Sequence, residues 1–465
     1  MTERPVRRFA QGYTVRVRAD VQRSDDGLLL GGSPIRAMRL APAARILLAD
    51  GRLRVSDART DALTGRLLDG NLADPVLGPA TPRPAELTVV LPVRDRPQQL
   101  ARTLSGLIGL ACIVVDDASR DPGAVAAVAA RFHVELVSLP VNQGPAAARN
   151  AGLRRVRTPY VAFVDSDVAV DATTLLRLAR HFADDRLALV GPLLRGRPAT
   201  ERANWFERYD MRVSSLTLGD RPCSVRPGAA VAWLPSACLV ARTDYLGAGF
   251  TESLRVAEDV DLVWRLVDAG YAVRYDPAEM AEHDTRRTLR EWLGRKFVYG
   301  TGGAELAARH GRTGAPAVLS GPAAATAAAL LIRHRWAAPL VAVGLALDIR
   351  SLIRRLPDTP DRPQLAIRLA VRSLGWAVRQ EAALLLRHWW PATLLAAMPS
   401  PAVRRAVGSA LVIDVLVARI EHPTMRYAPV SRRLDDLAYG AGLWAGAIRH
   451  RDVTCLLPRR PGARK

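Results

Sequence analysis

The hydrophobic and polar pattern is most regular between residues 86 and 170. Short apolar runs, typical of buried strands, alternate there with stretches whose apolar residues recur at helical spacing. We predict strands over 87–92, 112–116 and 135–139 and a fourth that begins at Tyr160. We predict helices over 98–107, 125–131 and 145–156. Strands and helices that alternate at this spacing indicate parallel β-α-β units and therefore an α/β fold.

Charged side chains follow these predicted strands at the points where the strands end. Ligands of a parallel sheet bind outside the carboxyl ends of its strands, so we expect these side chains to lie together. They are Arg94, Asp95, Asp116, Asp117, Asp165 and Asp167, with Arg149 on the helix after the third strand. The grouping is a prediction from topology and does not depend on a single motif.

Asp165 and Asp167 are separated by one residue at the end of the fourth strand. Side chains of an extended chain alternate between two faces, so these two carboxylates share a face. Such a pair suits a hard divalent cation and a phosphate. A second interpretation stays open from these residues alone, namely an acidic turn after a core strand.

The pattern continues beyond this point with less regularity. An apolar run over 233–240 predicts a strand, and the residues over 256–270 have helical spacing with Gly270 as the C-terminal cap. A further strand is expected over 271–275. The α/β part of the chain is therefore expected to continue well past the first four strands.

Acidic residues also begin the later helix. Glu258, Asp259 and Asp261 lie in its first turn, where the helix dipole stabilises carboxylates, so they are either ordinary helix-start acids or functional groups. His283 follows between Glu282 and Asp284. It is either a surface residue or a metal ligand, because an imidazole beside carboxylates suits Mn²⁺ as well as Mg²⁺.

The two ends of the chain differ from the middle. Residues 1–80 mix short strands and helices with Asp-Gly turns, which predicts a small α+β domain, and the Pro-rich segment 75–84 is the expected linker. From residue 315 the chain is rich in Ala, Leu and Arg and is expected to be helical. Its apolar runs stay below the ~20 residues of a membrane span.

Arg, Trp and Ala/Leu occur together in this tail, including Trp389 and Trp390 beside Arg387. Two interpretations are equally open: helices that lie on the anionic inner face of the cell membrane, and helices that pack on the α/β domain.

Composition narrows the functional classes. The 465-residue chain is 49% hydrophobic, enough for packed cores. Its formal net charge of +21 comes almost entirely from Arg and favours anionic partners such as nucleotides or an acidic membrane surface. We find no nucleic-acid-binding motif. The four cysteines have neither metal-site nor disulfide spacing, and the first ten residues lack the apolar core of a signal peptide. Both observations predict a cytoplasmic protein.

The middle of the chain, 86–303, resembles glycosyltransferase family two, with a GT-A nucleotide-sugar-binding domain. Six motifs occur in the family's order over some two hundred residues, which makes the resemblance specific. They are Val89-Val-Leu-Pro-Val-Arg94, Val115-Asp-Asp-Ala-Ser119, Asn142-Gln-Gly-Pro-Ala-Ala-Ala-Arg-Asn-Ala-Gly152, Asp165-Ser-Asp167, Gly249-Phe250 and Glu258-Asp-Val-Asp-Leu-Val-Trp-Arg265.

The resemblance implies a donor site. Asp167 would be the direct ligand of Mg²⁺ or Mn²⁺, Asp165 would contact the ribose or the metal, and His283 would be a third ligand. Positive charge there would neutralise the diphosphate that leaves from a UDP-sugar. The remaining nucleotide-sugar contacts would come from Pro92, Arg94, Asp116, Asp117 and Arg149.

The resemblance also implies the reaction. Relatives invert the anomeric centre in one displacement, which needs one carboxylate base on the acceptor hydroxyl. Asp259 matches the position of that base, and Glu258 is the alternative assignment. The Gln-x-x-Arg-Trp motif of processive synthases is not in the sequence. The implied enzyme is therefore a hexosyltransferase that adds one or several sugars.

The ends of the chain suggest the acceptor. Residues 1–80 resemble PqqD-like peptide-binding domains, and the whole arrangement, with the helical tail at 315–465, resembles the glycosyltransferases of mycofactocin systems. This implies transfer of glucose from UDP-glucose onto the peptide-derived redox cofactor mycofactocin or its precursor, with growth of a short β-1,4-glucan. The alternatives are a cell-envelope lipid or polysaccharide acceptor, a nucleotidyltransferase, and a basic adaptor without enzymatic activity.

Overall fold

The computed structural model describes residues 9–198, 202–356, 358 and 361–462. Contacts divide these residues into two units. The first takes its residues from Met1–Glu201 and Asp210–Thr285, and the second from Arg202–Tyr209 and Arg286–Lys465. The three-part division expected from the sequence stays a prediction, because the N-terminal block and the predicted catalytic domain share the first unit.

The N-terminal block is a small α+β structure, as expected. Its strands are β1 Thr14–Val17, β2 Gln22–Arg23, β3 Leu28–Gly31, β4 Arg36–Arg39, β5 Arg52–Arg54 and β6 Ala73–Val76. Its helices are α1 Pro42–Leu47 and α2 Ala58–Asp69. The strands form two antiparallel sheets in the orders β5-β1-β6 and β2-β3-β4, around a hydrophobic core of the block's own.

One boundary expected here is wrong. The predicted linker 75–84 begins inside β6, where Pro75 pairs with Val15 of β1. Pro is compatible with this strand because β6 lies at the edge of its sheet. The block is also joined to later residues: the Asn71 amide bonds both backbone groups of Ser224.

The rest of the first unit surrounds a nine-stranded mixed sheet. Its strands are β7 Leu87–Val93, β8 Ala111–Asp116, β9 Glu135–Ser138, β10 Tyr160–Val164, β11 Val168–Ala169, β12 Leu187–Arg197, β13 Cys223–Ser224, β14 Cys238–Arg242 and β15 Ala272–Asp284. Its helices are α3 Pro97–Gly106, α4 Pro122–Arg131, α5 Pro145–Leu153, α6 Ala172–Ala179 and α8 Glu258–Asp268, and α7 Trp205–Val213 crosses from the second unit into the first.

The strand order is β11-β15-β12-β14-β10-β7-β8-β9, with β13 beside β15. The strands β9, β8, β7 and β10 are mutually parallel, as the alternation of strands and helices predicts. Alternation also sets the packing of β7: Leu87, Val89 and Leu91 join the hydrophobic core on one side of the sheet. Val90 faces the other side, where α5 packs closely, because a Cβ on Gly152 would lie 2.4 Å from the Val90 side chain.

Local sequence explains where the helices begin. Pro occupies the first turn of α3, α4 and α5, where its missing N–H breaks no helical hydrogen bond. The side chains of Asp121 and Asp171 cap α4 and α6. Two predicted strands have different bounds in the structure. The strand expected over 233–240 is β14, which spans Cys238–Arg242. The strand expected over 271–275 is β15, which extends to Asp284.

The second unit is helical, which confirms the expected helical tail. Its helices are α9 Leu289–His310, α10 Gly321–Ile332, α11 Ala337–Arg355, α12 Arg362–Ala383, α13 Trp390–Ala397, α14 Pro401–Glu421 and α15 Ala428–His450. The described helices include none with both the length and the apolar composition of a membrane span. The Trp389 and Trp390 indoles donate to the backbone carbonyls of Leu456 and Leu437 within the same unit.

Candidate active site

The order in which the chain adds parallel strands to the sheet reverses at β7. The chain proceeds from β7 to β8 and β9 on one side and returns to β10 on the other. In open α/β sheets a ligand crevice forms outside the carboxyl ends of the strands at such a switch point. The ends of β7 and β8 are level, since Val93 pairs with Asp116 and accepts a hydrogen bond from the Asp117 N–H. Of the residues predicted for the site, Arg94 and Asp95 follow β7, Asp116 and Asp117 lie at the end of β8, and Asp165 follows β10.

Arg149 joins two of the predicted carboxylates. Its guanidinium lies 2.6 Å from Asp165 Oδ1 and 2.8 Å from Glu258 Oε1, and the side chain is buried. Burial disfavours the charge, but the two carboxylates more than offset this and raise the pKa of Arg149. Arg149 therefore remains a cation and connects the end of β10 to the start of α8.

Hydrogen bonds from the Asn150 side chain hold the Gly249-Phe250 segment next to Arg149. The Asn150 amide donates to the Phe250 carbonyl and accepts from the Phe250 N–H, both at 2.8 Å. Gly249 has φ +75°, and a Cβ there would lie 2.3 Å from Asn150 Oδ1. The Phe250 ring in turn lies 5.4 Å from the Arg149 guanidinium. The Gly-Phe motif thus has a structural function, since it lets the chain pass close to α5 and support Arg149.

Asp259 has a different environment from its neighbour Glu258. It is half-buried, and it accepts hydrogen bonds from the backbone N–H groups of Val260 at 2.8 Å and Ser236 at 3.3 Å. Desolvation, and then the negative charge of Glu258, raise the pKa of Asp259 to about 7. A carboxylate with a pKa near neutrality can both accept and hold a proton at physiological pH.

The residue before α8 has an unusual backbone. Ala257 has φ +64°, in the left-handed region that residues with a Cβ rarely occupy. Asp95 and Ala118, in the loops after β7 and β8, have φ of +58° and +53°. Such conformations are energetically unfavourable and are concentrated at functional sites. All three lie in the segments that carry the predicted site residues.

Asp167 forms an ion pair with Arg96, a residue that the sequence reasoning did not select. The backbone also connects Asp167 to β15, since its carbonyl accepts the Asp284 N–H at 3.1 Å. In the same ladder His283 pairs with Val168, so His283 lies opposite the residue that follows Asp167. His283 is buried, which does not agree with the surface interpretation.

The predicted metal ligands fit a metal in donor type but are not assembled around one point. Carboxylate oxygens and imidazole nitrogen suit Mg²⁺ or Mn²⁺. Within the described ranges, however, no three His, Cys, Asp or Glu side chains are close enough together to hold an ion. The carboxylates of Asp165 and Asp167 each contact an arginine instead, Arg149 and Arg96 respectively.

Asp116 and Asp117 are both buried at the end of β8 and have different partners. Asp116 Oδ1 accepts from the N–H and hydroxyl of Ser119. Asp117 uses both oxygens, accepting the N–H groups of Gln143 at 2.7 Å and Gly144 at 2.9 Å. Asp117 therefore ties β8 to the loop before α5, while Asp116 forms its bonds through one oxygen.

The two remaining predicted contacts lie at the end of β7. Pro92 is half-buried within the strand, and Arg94 is exposed, with its guanidinium 4.0 Å from Asp95. Asp95 also accepts the Arg120 N–H at 2.7 Å and so joins the loops after β7 and β8. The polar residues that sequence reasoning missed are Arg96 and Ser236, which no motif marks because their partners are distant in the sequence.

Comparison with known proteins gives a consistent family. Residues 88–224 match the family model described as Glycosyl transferase family 2, and residues 160–403 match that of Glycosyl transferase family group 2. Two relatives named "Pre-mycofactocin glycosyltransferase", from Mycobacterium tuberculosis strains CDC 1551 / Oshkosh and ATCC 25618 / H37Rv, are each 41% identical over 97% of this chain and 98% of their own.

More distant relatives match only in part. The "Poly-beta-1,6-N-acetyl-D-glucosamine synthase" of Staphylococcus aureus strain COL is 22% identical over 48% of this chain and 56% of its own. A solved structure, "Mannosyltransferase PcManGT from Pyrobaculum calidifontis in complex with GDP-Man and Mn2+", aligns with 79% of this chain and 90% of its own at 18% identity and a TM-score of 0.42. On the extent of the family match and the near full-length relatives, the chain belongs to glycosyl transferase family 2 and is a hexosyltransferase with the expected GT-A fold.

Proposed function

We propose that this enzyme transfers a hexose, glucose from UDP-glucose, onto the peptide-derived redox cofactor mycofactocin or its precursor, with growth of a short β-1,4-glucan. The near full-length relatives named for pre-mycofactocin glycosylation support the acceptor. The observation that carries the chemistry is Asp259, a partly buried carboxylate whose pKa is raised to about 7 at the start of α8.

The proposed reaction is one displacement with inversion. The acceptor hydroxyl oxygen forms a bond to the anomeric carbon of the donor sugar as the bond from that carbon to the diphosphate breaks. The hydroxyl proton passes to the Asp259 carboxylate, and UDP leaves with the bonding electron pair. The N–H groups of Val260 and Ser236 hold the Asp259 carboxylate in place for this transfer.

Glu258 and Arg149 are proposed to set the basicity of Asp259. The negative charge of Glu258 raises the pKa of Asp259, and the positive charge of Arg149 lowers it. The ion pair between Glu258 and Arg149 leaves Asp259 as the better base of the two neighbouring acids. This supports Asp259 over the alternative assignment of Glu258.

A pH–rate experiment tests this assignment. If Asp259 is the base, kcat/KM falls on the acid side of about pH 7. Glu258→Gln is expected to move this acid limb to lower pH, and Arg149→Met to higher pH, whatever their effect on the maximal rate. If the acid limb of kcat/KM stays at the same pH in both variants, Asp259 is not the base. Asp259→Asn is expected to abolish transfer.

A divalent cation is proposed at Asp165, Asp167 and His283. When bound, it would supply positive charge for the leaving diphosphate. Arg96 would then have to release the Asp167 carboxylate, and Arg149 the Asp165 carboxylate. Titration of Mn²⁺ followed by electron paramagnetic resonance tests this directly: Asp167→Ala is expected to lose bound Mn²⁺, and unchanged binding in that variant contradicts the assignment.

The N-terminal block is proposed to bind the peptide portion of the acceptor. Its sheet β2-β3-β4 has β4 as an outer strand, with most of Arg36–Arg39 exposed. An exposed strand edge can pair with an extended peptide. Amide hydrogen exchange of the full chain is expected to slow over Arg36–Arg39 when acceptor peptide is added, and unchanged exchange would refute this part alone.

A donor and acceptor screen tests the overall function. UDP release is measured with a panel of UDP-sugars, followed by mass analysis of the peptide-derived acceptor. A hexose added to the acceptor with release of UDP supports the proposal. Transfer only to a lipid or polysaccharide would favour a cell-envelope acceptor, and a nucleotide retained on the product would indicate a nucleotidyltransferase.

A further inference from the structure

Helix α11 of the second unit has no buried residue among its 19. It packs beside α10 and α12, and its Gly344 lies against Thr326 of α10. A helix of this length in a helical domain normally buries one apolar stripe against its neighbours. This helix instead presents an apolar stripe to the outside.

The outward stripe consists of large apolar side chains. Trp336, Leu340, Val343 and Leu347 are 57%, 54%, 58% and 57% exposed. At 3.6 residues per turn, these four positions fall within an arc of about 60°. Scattered exposed apolar residues need no explanation, but four on one line of a helix form a surface suited to an apolar partner.

Arginines lie at both ends of this stripe. Arg333 and Arg335 precede it, and the Arg335 guanidinium lies 5.8 Å from the centre of the Trp336 ring. Arg350 and Arg354 follow it, both exposed and on the same line of the helix. Between these ends the helical residues 337–347 carry no charge. From 333 to 379 the sequence has nine arginines and three aspartates, a formal charge of +6.

We infer that the face formed by Trp336, Leu340, Val343, Leu347 and the arginines at its two ends docks on an anionic phospholipid surface. The helix lies parallel to that surface, with its apolar stripe among the acyl chains and its arginines at the phosphates. The exposed stripe supplies the apolar face of an interfacial helix, Trp336 suits the headgroup level, and the arginines beyond both ends supply the attraction to anionic lipid. Each arginine near an anionic leaflet adds electrostatic attraction that salt weakens.

A second copy of the chain does not suit this face. If two α11 helices paired side by side in parallel, Arg350 and Arg354 would meet their own counterparts. If they paired antiparallel about the middle of the stripe, Arg350 would meet Arg333, and Arg335 would meet Asp348. Parallel pairing opposes like charges, and antiparallel pairing gives one like-charge and one opposite-charge pair, so neither direction complements the arginines fully. An anionic bilayer complements the arginines at both ends at once.

Vesicle co-sedimentation of the full chain tests the inference. We expect binding to phosphatidylcholine vesicles that contain about 30 mol% phosphatidylglycerol, and much weaker binding to phosphatidylcholine alone or at high salt. The double variant Leu340→Glu/Leu347→Glu is expected to bind at least about tenfold more weakly. Arg350→Gln/Arg354→Gln is expected to reduce both binding and its dependence on salt.

A matched control is available in the first unit. Ile46 and Ile108 are 78% and 74% exposed, so Ile46→Glu/Ile108→Glu makes the same change in charge and polarity outside the helical unit. This control is expected to bind vesicles like the wild type. Circular dichroism and UDP release in the absence of vesicles verify that each variant is folded.

Three outcomes would overturn the inference. The first is a folded Leu340→Glu/Leu347→Glu variant that binds anionic vesicles like the wild type. The second is a wild-type chain that does not sediment with these vesicles at low salt. The third is a wild-type chain that does not bind vesicles but forms a dimer, seen by light scattering, which the Leu340→Glu/Leu347→Glu substitutions dissociate. That result would assign the face to a second copy. None of these outcomes bears on sugar transfer, which the donor screen tests separately.

Discussion

The raised pKa of Asp259 predicts that Asp259→Asn stabilises the protein at neutral and alkaline pH. In the folded protein the pKa is raised from 3.8 to about 7, by desolvation first and by Glu258 second. The folded state therefore retains a proton that the unfolded chain loses near pH 4. Stability falls as the pH rises between these two values, and the loss is complete above the folded pKa. The amide of Asn carries no charge and avoids this loss.

The magnitude follows from the interval between the two pKa values. Each pH unit corresponds to about 1.4 kcal/mol, so an interval of roughly three units corresponds to a cost on the order of 4 kcal/mol. Asn retains one acceptor oxygen for the N–H of Val260 or Ser236, so its loss of hydrogen bonding is smaller than this gain. The advantage of Asp259→Asn is expected to be greater at about pH 8 than at about pH 5 by roughly 2 to 3 kcal/mol.

Urea unfolding of wild type and variant at these two pH values measures the difference. Asp244→Asn, at an exposed aspartate of the same unit, controls for the loss of one negative charge. If Asp259→Asn raises the free energy of unfolding by the same amount at both pH values, the reasoning is refuted, because a gain from better packing of the amide would not depend on pH. A variant that is less stable than wild type at alkaline pH would refute it as well.

Two further predictions concern the packing of each unit. Lys296→Met is expected to destabilise the second unit by roughly 3 to 5 kcal/mol, because the buried Asp435 carboxylate, 2.9 Å from the Lys296 ammonium, loses its partner. Urea unfolding checks this, and Lys296→Met/Asp435→Leu should recover most of the loss. Gly249→Ala is expected to cost roughly 2 kcal/mol or more, since φ is +75° and the added Cβ would meet Asn150. Thermal unfolding that matches wild type would contradict it.

Local pattern was sufficient for most of the fold. The alternation of apolar runs with helical spacing predicts the four parallel strands, and Pro in the first turn of α3 to α5 places the helix starts. The parallel topology then brings the strand ends to one edge, which explains why Asp116, Asp117 and Asp165 could be grouped in advance. The sequence pattern gave the wrong bounds for β6 and β14. Pairing with a neighbouring strand sets these bounds, and the intrinsic strand preference of the residues does not.

By itself the sequence determined the order of the elements, the family and the set of candidate acids, because these depend on local periodicity and on motifs. Only the tertiary structure decided how those acids are used. Arg149 meets Glu258 across 109 positions, and Arg96 meets Asp167 across 71. Ion pairs and desolvation depend on neighbours brought together by folding, so the pairing of Arg96 with Asp167 and the raised pKa of Asp259 have no signal in the sequence.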